Sequence, residues 1–171
     1  MAMKQLLLLR HAKSSWDDPA LDDFDRPLAQ RGLKAAKLMG RELAARDWLP
    51  DQVLVSSALR TRDTWRLVAA ELPAHPRVVF AEALYEASAA DILSQIRKVD
   101  PSSGCLVVVG HNPSLEDLAK QLAGSGSEAK AYKRLEEKFP TAAIARFVFD
   151  GDWSGLSVAR LTHCLCPKDL S

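Results

Sequence analysis

The chain has 171 residues, with 23 lysines and arginines against 22 aspartates and glutamates, a formal net charge of +1 and 47% apolar residues. This balance excludes a nucleic-acid binder that works by bulk positive charge, a disordered chain and a disulfide scaffold. The length suits one domain over residues 1–171, large enough to bury roughly 70% of the surface its unfolded form exposes.

Residues 5–9, ending in four leucines, form an apolar run without alternation, as expected of a first strand buried on both faces. The run is too short for a signal-peptide core or a membrane span, so no membrane association is expected. Leu33, Ala36, Met39 and Leu43 then recur at helical spacing, and Pro50 closes that segment. Residues 53–55 read as a second strand. Ser56 or Ser57 is placed to cap the next helix, which turns Thr61, Trp65, Val68, Ala69 and Leu72 inward before Pro73 and Pro76. Residues 78–80 give a third strand, and Ser88 with Asp91 a capping box for a helix burying Ile92, Leu93 and Ile96. The valine-rich residues 105–109 are the clearest strand. Gly110 ends it, and Asn112-Pro113 reads as the cap and first position of a helix with Leu115, Leu118, Ala119 and Leu122 on its inner face. Residues 124–127 form a flexible break and residues 130–138 a solvated helix or loop. Residues 144–149 and 156–161 read as a hairpin about Asp150-Gly151.

Strands alternating with helices predict an α/β fold: a three-layer α/β/α sandwich with a mainly parallel central sheet and an antiparallel C-terminal edge hairpin. Cys105, Cys164 and Cys166 are odd in number and lack zinc spacing, which reads as reduced thiols of a cytoplasmic protein. In such sheets ligands bind beyond the carboxyl ends of the strands. Arg10 and His11 follow the first strand, Arg60 lies one turn into the helix after the second, and His111 follows the fourth. No glycine-rich loop follows Leu9, which argues against a flavodoxin-like nucleotide site.

The same residues carry a resemblance. Arg10-His11-Ala12 resembles the Arg-His-Gly signature of the histidine phosphatase superfamily, with alanine in place of the usual glycine. Residues 26–32, Arg-Pro-Leu-Ala-Gln-Arg-Gly, are similar to its second conserved stretch, and residues 56–64 to its third, with the functional arginine on Arg60. Gly110-His111-Asn112-Pro113 resembles the fourth, and the form is that of the short SixA-type phosphohistidine phosphatases. The resemblance implies that His11 is the nucleophile, that Arg10 and Arg60 hold the phosphoryl oxygens, and that His111 donates to them. Leu84-Tyr85-Glu86 matches the setting of the family's proton donor, which points to Glu86. Glu82 is its neighbouring competitor, and some SixA-type members have no such acid.

Physical chemistry agrees with these roles. Charge on a phosphoryl group in flight spreads over three oxygens, which guanidinium forks match, and a neutral imidazole can attack phosphorus to form a covalent intermediate. The cations beside His11 disfavour its imidazolium form, and the helix after Pro113 points its positive end at the same anion. Ser14 and Ser57 are placed to add hydroxyl contacts, Ser57 alternatively only capping its helix. No cofactor or metal is expected, since none of the four histidines has a ligand set; His75 and His163 read as structural or solvent-facing. The expected activity is a metal-independent phosphatase acting on protein phosphohistidine. A small-molecule phosphomonoesterase and a non-catalytic phosphate-binding module are the alternatives, and neither nucleic acid nor membrane is an expected partner.

Overall fold

The computed structural model of the protein describes residues 3–170. Its elements run β1 (Lys4–Arg10), α1 (Gln30–Ala45), β2 (Gln52–Ser56), α2 (Leu59–Ala69), β3 (Arg77–Ala81), α3 (Ala89–Arg97), β4 (Cys105–Gly110), α4 (Ser114–Leu122), α5 (Ala129–Glu137), β5 (Ile144–Phe149), β6 (Arg160–Leu165) and the short α6 (Pro167–Leu170). The six strands form one sheet in the order β3-β2-β4-β1-β5-β6. The first four strands in the chain are mutually parallel, while β5 runs antiparallel to β1, and β6 to β5. The mainly parallel sandwich with an antiparallel C-terminal edge is therefore the observed fold.

The leucine run of β1 makes sense in this frame, because a strand paired on both sides and covered on both faces has no polar face. Leu6 and Leu8 enter the core beneath α3, α4 and α5. Leu7 and Leu9 point the other way, into the core that α1 and α2 close with Ala36, Met39, Leu43, Trp65 and Val68. The Ser88 capping box is present: Asp91 N–H donates to Ser88 Oγ and Ser88 N–H to Asp91 Oδ2, each at 3.1 Å. Residues 129–137 settle the helix-or-loop alternative as helix, with Ala131 and Leu135 buried. Among the described residues no helix is long and apolar enough to cross a membrane.

Three local readings are corrected. Neither Ser56 nor Ser57 caps α2: its N-cap is Ala58, with no side-chain cap, because Ser56 still belongs to β2. Pro113 is the N-cap of α4 rather than its first position, joined to Asn112 by a cis peptide bond, although Asn112 Oδ1 still accepts from Glu116 N–H at 3.2 Å. The last strand begins at Arg160, not at residue 156. Residues 156–159 have the alternation of a strand but are held elsewhere. Leu156 is buried and its carbonyl accepts Arg97 Nε and Nη2 at 2.9 and 2.7 Å. Ala159 N–H donates to Leu122 O at 2.8 Å, tying the segment to the end of α4.

Candidate active site

Register brings the two histidines together. Leu9 pairs with Val109 and Arg10 with Gly110, so β1 and β4 end side by side and the next residue of each is a histidine. His11 N–H donates to Gly110 O at 3.1 Å, and the two rings lie 5.3 Å apart at 54°. β2, on the other side of β4, supplies Ser56 from its last residue and Arg60 from the first turn of α2.

His11 is 7% exposed, and its Nδ1 donates to the Ala12 carbonyl at 2.7 Å. A carbonyl oxygen can only accept, so the neutral ring carries its proton on Nδ1 and leaves a lone pair on Nε2. Burial above all, with the charges of His111, Arg60 and Arg10 behind it, lowers the His11 pKa to about 3. The neighbouring cations thus act in the expected direction, but desolvation is the larger cause. Ala12 is fully buried and outside the positive-φ region, so its replacement of glycine imposes no backbone strain. Its N–H donates to Thr64 Oγ1 at 2.9 Å, and that hydroxyl donates to Arg60 O at 2.7 Å, coupling the loop after β1 to α2. Ala142, in the left-handed region at φ 64°, donates its N–H to both Arg10 O and His11 O.

His111 Nε2 and Ser56 Oγ are 2.8 Å apart, while His111 Nδ1 is buried without a hydrogen-bond partner among the described residues. Burial first, then Arg60, lowers the His111 pKa to about 4. Arg10 Nη1 donates to Phe139 O at 3.2 Å, the same carbonyl that accepts Asn112 Nδ2 at 2.9 Å. Arg10 Nε and Arg60 Nε are also buried without partners. Unpaired buried nitrogens destabilise a fold by about 1–3 kcal/mol each, and three of them belong to the same four side chains.

Arg60 is held by Asp23, in a 3-10 turn (Asp23–Asp25) of the loop between β1 and α1. Its Nη1 donates to Asp23 O at 2.7 Å and its Nη2 to Asp23 Oδ2 at 3.0 Å. Tyr85 O–H donates to the same carboxylate oxygen at 2.6 Å, and Arg26 Nε lies 3.3 Å from the other one. The bond from Tyr85, followed by Arg60 and Arg26, holds the Asp23 carboxyl below the usual carboxylate range. The reciprocal bond pushes the Tyr85 phenol up to about 12. The Tyr85 ring stands edge-on to His111 at 5.6 Å, and the buried Arg26 stacks on exposed Trp16 at 3.3 Å.

Arg10, His11, Arg60 and His111 thus share one rim. The remaining residues singled out in the sequence stand differently. Glu86, at φ 57°, is exposed, and neither it nor Glu82 makes a hydrogen bond or ion pair with another described side chain. Ser14 is buried and bridges Leu28 through its backbone. Ser57 accepts Arg62 Nε at its carbonyl, whereas the hydroxyl that meets His111 belongs to Ser56. Sequence reasoning missed Ser56 as a partner of His111, and missed Asp23 and Tyr85 altogether. Asp23 precedes the Arg26-Pro27-Leu28 stretch by three residues and Tyr85 precedes Glu86, so proximity to motifs was the only signal available.

Two basic forks and two neutral imidazoles around one rim suit an oxyanion with a tetrahedral centre. Comparison with known proteins agrees. Residues 6–98 match the family model described as histidine phosphatase superfamily (branch 1). An uncharacterized protein of Mycobacterium tuberculosis (strain ATCC 25618 / H37Rv) is 40% identical over 147 residues, covering 85% of this chain and 90% of its own. The structure of SixA from Nakamurella multipartitia superposes with a TM-score of 0.84 at 28% identity, covering 98% of both chains. That of SixA from Agrobacterium tumefaciens gives 0.82 at 29%, covering 96% of this chain and 98% of the other; both are provisionally named phosphohistidine phosphatases. By fold, ordered motifs and sequence, the chain belongs to branch 1 of the histidine phosphatase superfamily.

Proposed function

We propose that the protein is a phosphatase that passes the phosphoryl group through His11 and acts on phosphohistidine in proteins. The observation that carries the reading is the bond from His11 Nδ1 to Ala12 O, which leaves Nε2 unprotonated on a ring that feels the charges of His111, Arg60 and Arg10. His11 Nε2 attacks phosphorus and the bond to the leaving imidazole breaks, that imidazole taking a proton from solvent. Water then attacks the phosphorus on His11, the P–N bond breaks, and phosphate leaves with His11 neutral again. Arg10 and Arg60 neutralise the equatorial oxygens, and His111 donates through Nδ1 when the Ser56 hydroxyl donates to its Nε2.

Two features favour a protein substrate. An imidazole leaving group does not rely on an enzyme acid, which fits the exposed and unpartnered Glu86. Glu86 then serves as donor only for poorer, alkoxide leaving groups. The helices of the connections between site strands, α1, α2 and α3, also pack on the faces of the sheet, β3 extends its edge, and what these connections bring to the rim is loop, Asp23 and Tyr85 included. The SixA relatives are provisionally named for the same substrate.

Turnover of a histidine-phosphorylated protein is compared with that of an aryl phosphate and a panel of phosphorylated metabolites, with rapid acid-labile phosphoenzyme trapping. Preference for the phosphorylated protein, a trapped intermediate and the loss of both in His11→Ala are expected. Turnover that survives His11→Ala overturns the mechanism, and preference for one metabolite overturns the substrate class. Failure of every substrate while phosphate still binds favours a binding module.

A further inference from the structure

Beside the rim the surface folds into a groove of about 770 Å³. Its walls are Lys13 from the loop after β1, Arg31 and Lys34 from α1, Arg134 and Lys138 from α5 and its end, and Lys168 from α6. These six cations face a single acid, Glu137. On a chain with a net charge of +1 this is a concentrated positive field. Of the six, only Arg134 forms an ion pair among the described residues, with Glu137 and Asp169. The rest of the lining includes the apolar Leu38, Ala35, Pro140 and Pro167.

The groove adjoins the reaction centre through the backbone. Lys13 follows His11 by two residues, and Pro140 follows Phe139, whose carbonyl anchors Arg10 and Asn112. An extended polypeptide advances about 3.3 Å per residue, so a residue bound at His11 would place its neighbours a few positions along over these cations. We propose that the groove docks an acidic stretch of the phosphorylated protein substrate, an inference that rests on the protein-phosphohistidine reading above. Such a stretch supplies carboxylates for the cations and apolar side chains for the apolar part of the lining. A single-stranded nucleic acid fits less well, because no aromatic side chain in the lining offers a stacking platform. A membrane surface fits less well too: the exposed large apolar residues Met3, Trp16, Leu21, Phe80 and Val158 all lie outside the groove.

The test uses two peptides with a central phosphorylated histidine, one flanked by alternating Glu and Leu and its counterpart by Gln and Leu. The acid-flanked peptide is expected to show a KM about tenfold lower at low salt, with the difference shrinking as salt is added. Arg31→Glu/Lys34→Glu/Lys138→Glu should erase the difference while leaving kcat on an aryl phosphate unchanged. The neutral triple variant with Gln at the same positions, checked by thermal unfolding, separates lost docking from lost folding. In parallel, fluorescence anisotropy follows a labelled, unphosphorylated Glu/Leu peptide on the full-length protein, independently of turnover. Binding that the triple variant loses, without hydrolysis of any phosphohistidine peptide, keeps the groove and overturns the functional reading. Equal KM values with no anisotropy change overturn the groove. So does tighter binding of a single-stranded oligonucleotide or of phosphatidylserine vesicles than of the acidic peptide.

Discussion

Arg60 is 7% exposed, and its ion-pair partner is a carboxylate from a loop rather than from the sheet. Asp23 occupies two of the five guanidinium N–H groups through its carbonyl and carboxylate, leaving three to meet an anion. It acts as a brace that aims Arg60. Asp23→Asn is expected to lower kcat/KM on an aryl phosphate about tenfold, equivalent to about 1.4 kcal/mol. An unchanged or raised value would show that the carboxylate instead competes with phosphate. The two histidines make a second prediction at this scale. Both have folded pKa values, about 3 and about 4, below the ordinary histidine value of 6.5. Above pH 6.5 both are neutral folded or unfolded and contribute nothing to a pH dependence. Between the folded and unfolded values the unfolded chain binds more protons, so stability falls as pH falls, by up to about 1.4 kcal/mol per pH unit for each histidine. Urea unfolding at pH 7 and pH 5 should show this loss, and His11→Asn should reduce it.

At the scale of elements, α1 and α2 are pressed onto the loop that presents His11. A Cβ added at Gly32 would come 2.1 Å from Lys13 O, while Ala29 N–H donates to the same oxygen at 2.8 Å. The glycine that ends the Arg26-Pro27-Leu28 stretch is thus a packing requirement, which only the assembled loop and helix reveal. Gly32→Ala is expected to destabilise the fold by about 1–3 kcal/mol. It should also lower activity more than stability alone explains, because relief must come from moving either α1 or the loop; unfolding midpoints and kcat/KM at a temperature well below Tm check both. Strands and most helices were legible because their signal is local: the valine and leucine runs, the Ser88 and Asp91 pair, the helical recurrence of Leu115, Leu118, Ala119 and Leu122. The start of β6 was not, since Leu156 has strand-like spacing and only contact with Arg97 and the core decides its place. The site divided in the same way. Residues at strand ends were readable from the rule that ligands sit there, but Asp23 and Tyr85 reach the rim from loops whose course depends on the whole fold.

For the whole molecule, both cores meet the site through the sheet. Phe139 is fully buried in the core beneath α3, α4 and α5, while its backbone carries two bonds that position the rim and a third, from its N–H to Glu116 Oε1 at 3.0 Å. Phe139→Ala is expected to reduce the free energy of unfolding by about 3–5 kcal/mol, measured by urea titration, and to weaken phosphate binding as Arg10 loses its fixed acceptor. Retention of full phosphate affinity in the folded variant would show that Arg10 is positioned from elsewhere.

The place of β1 in the sheet has a consequence for biosynthesis. Gln5 pairs with Cys105 on one side and Val148 on the other, so the strand made first waits for neighbours translated long afterwards. At about 5–20 residues per second, a ribosome leaves the leucine run without its second neighbour for roughly 7–30 s. Nascent chains shorter than residue 149 therefore carry an apolar ribbon with one edge still unpaired.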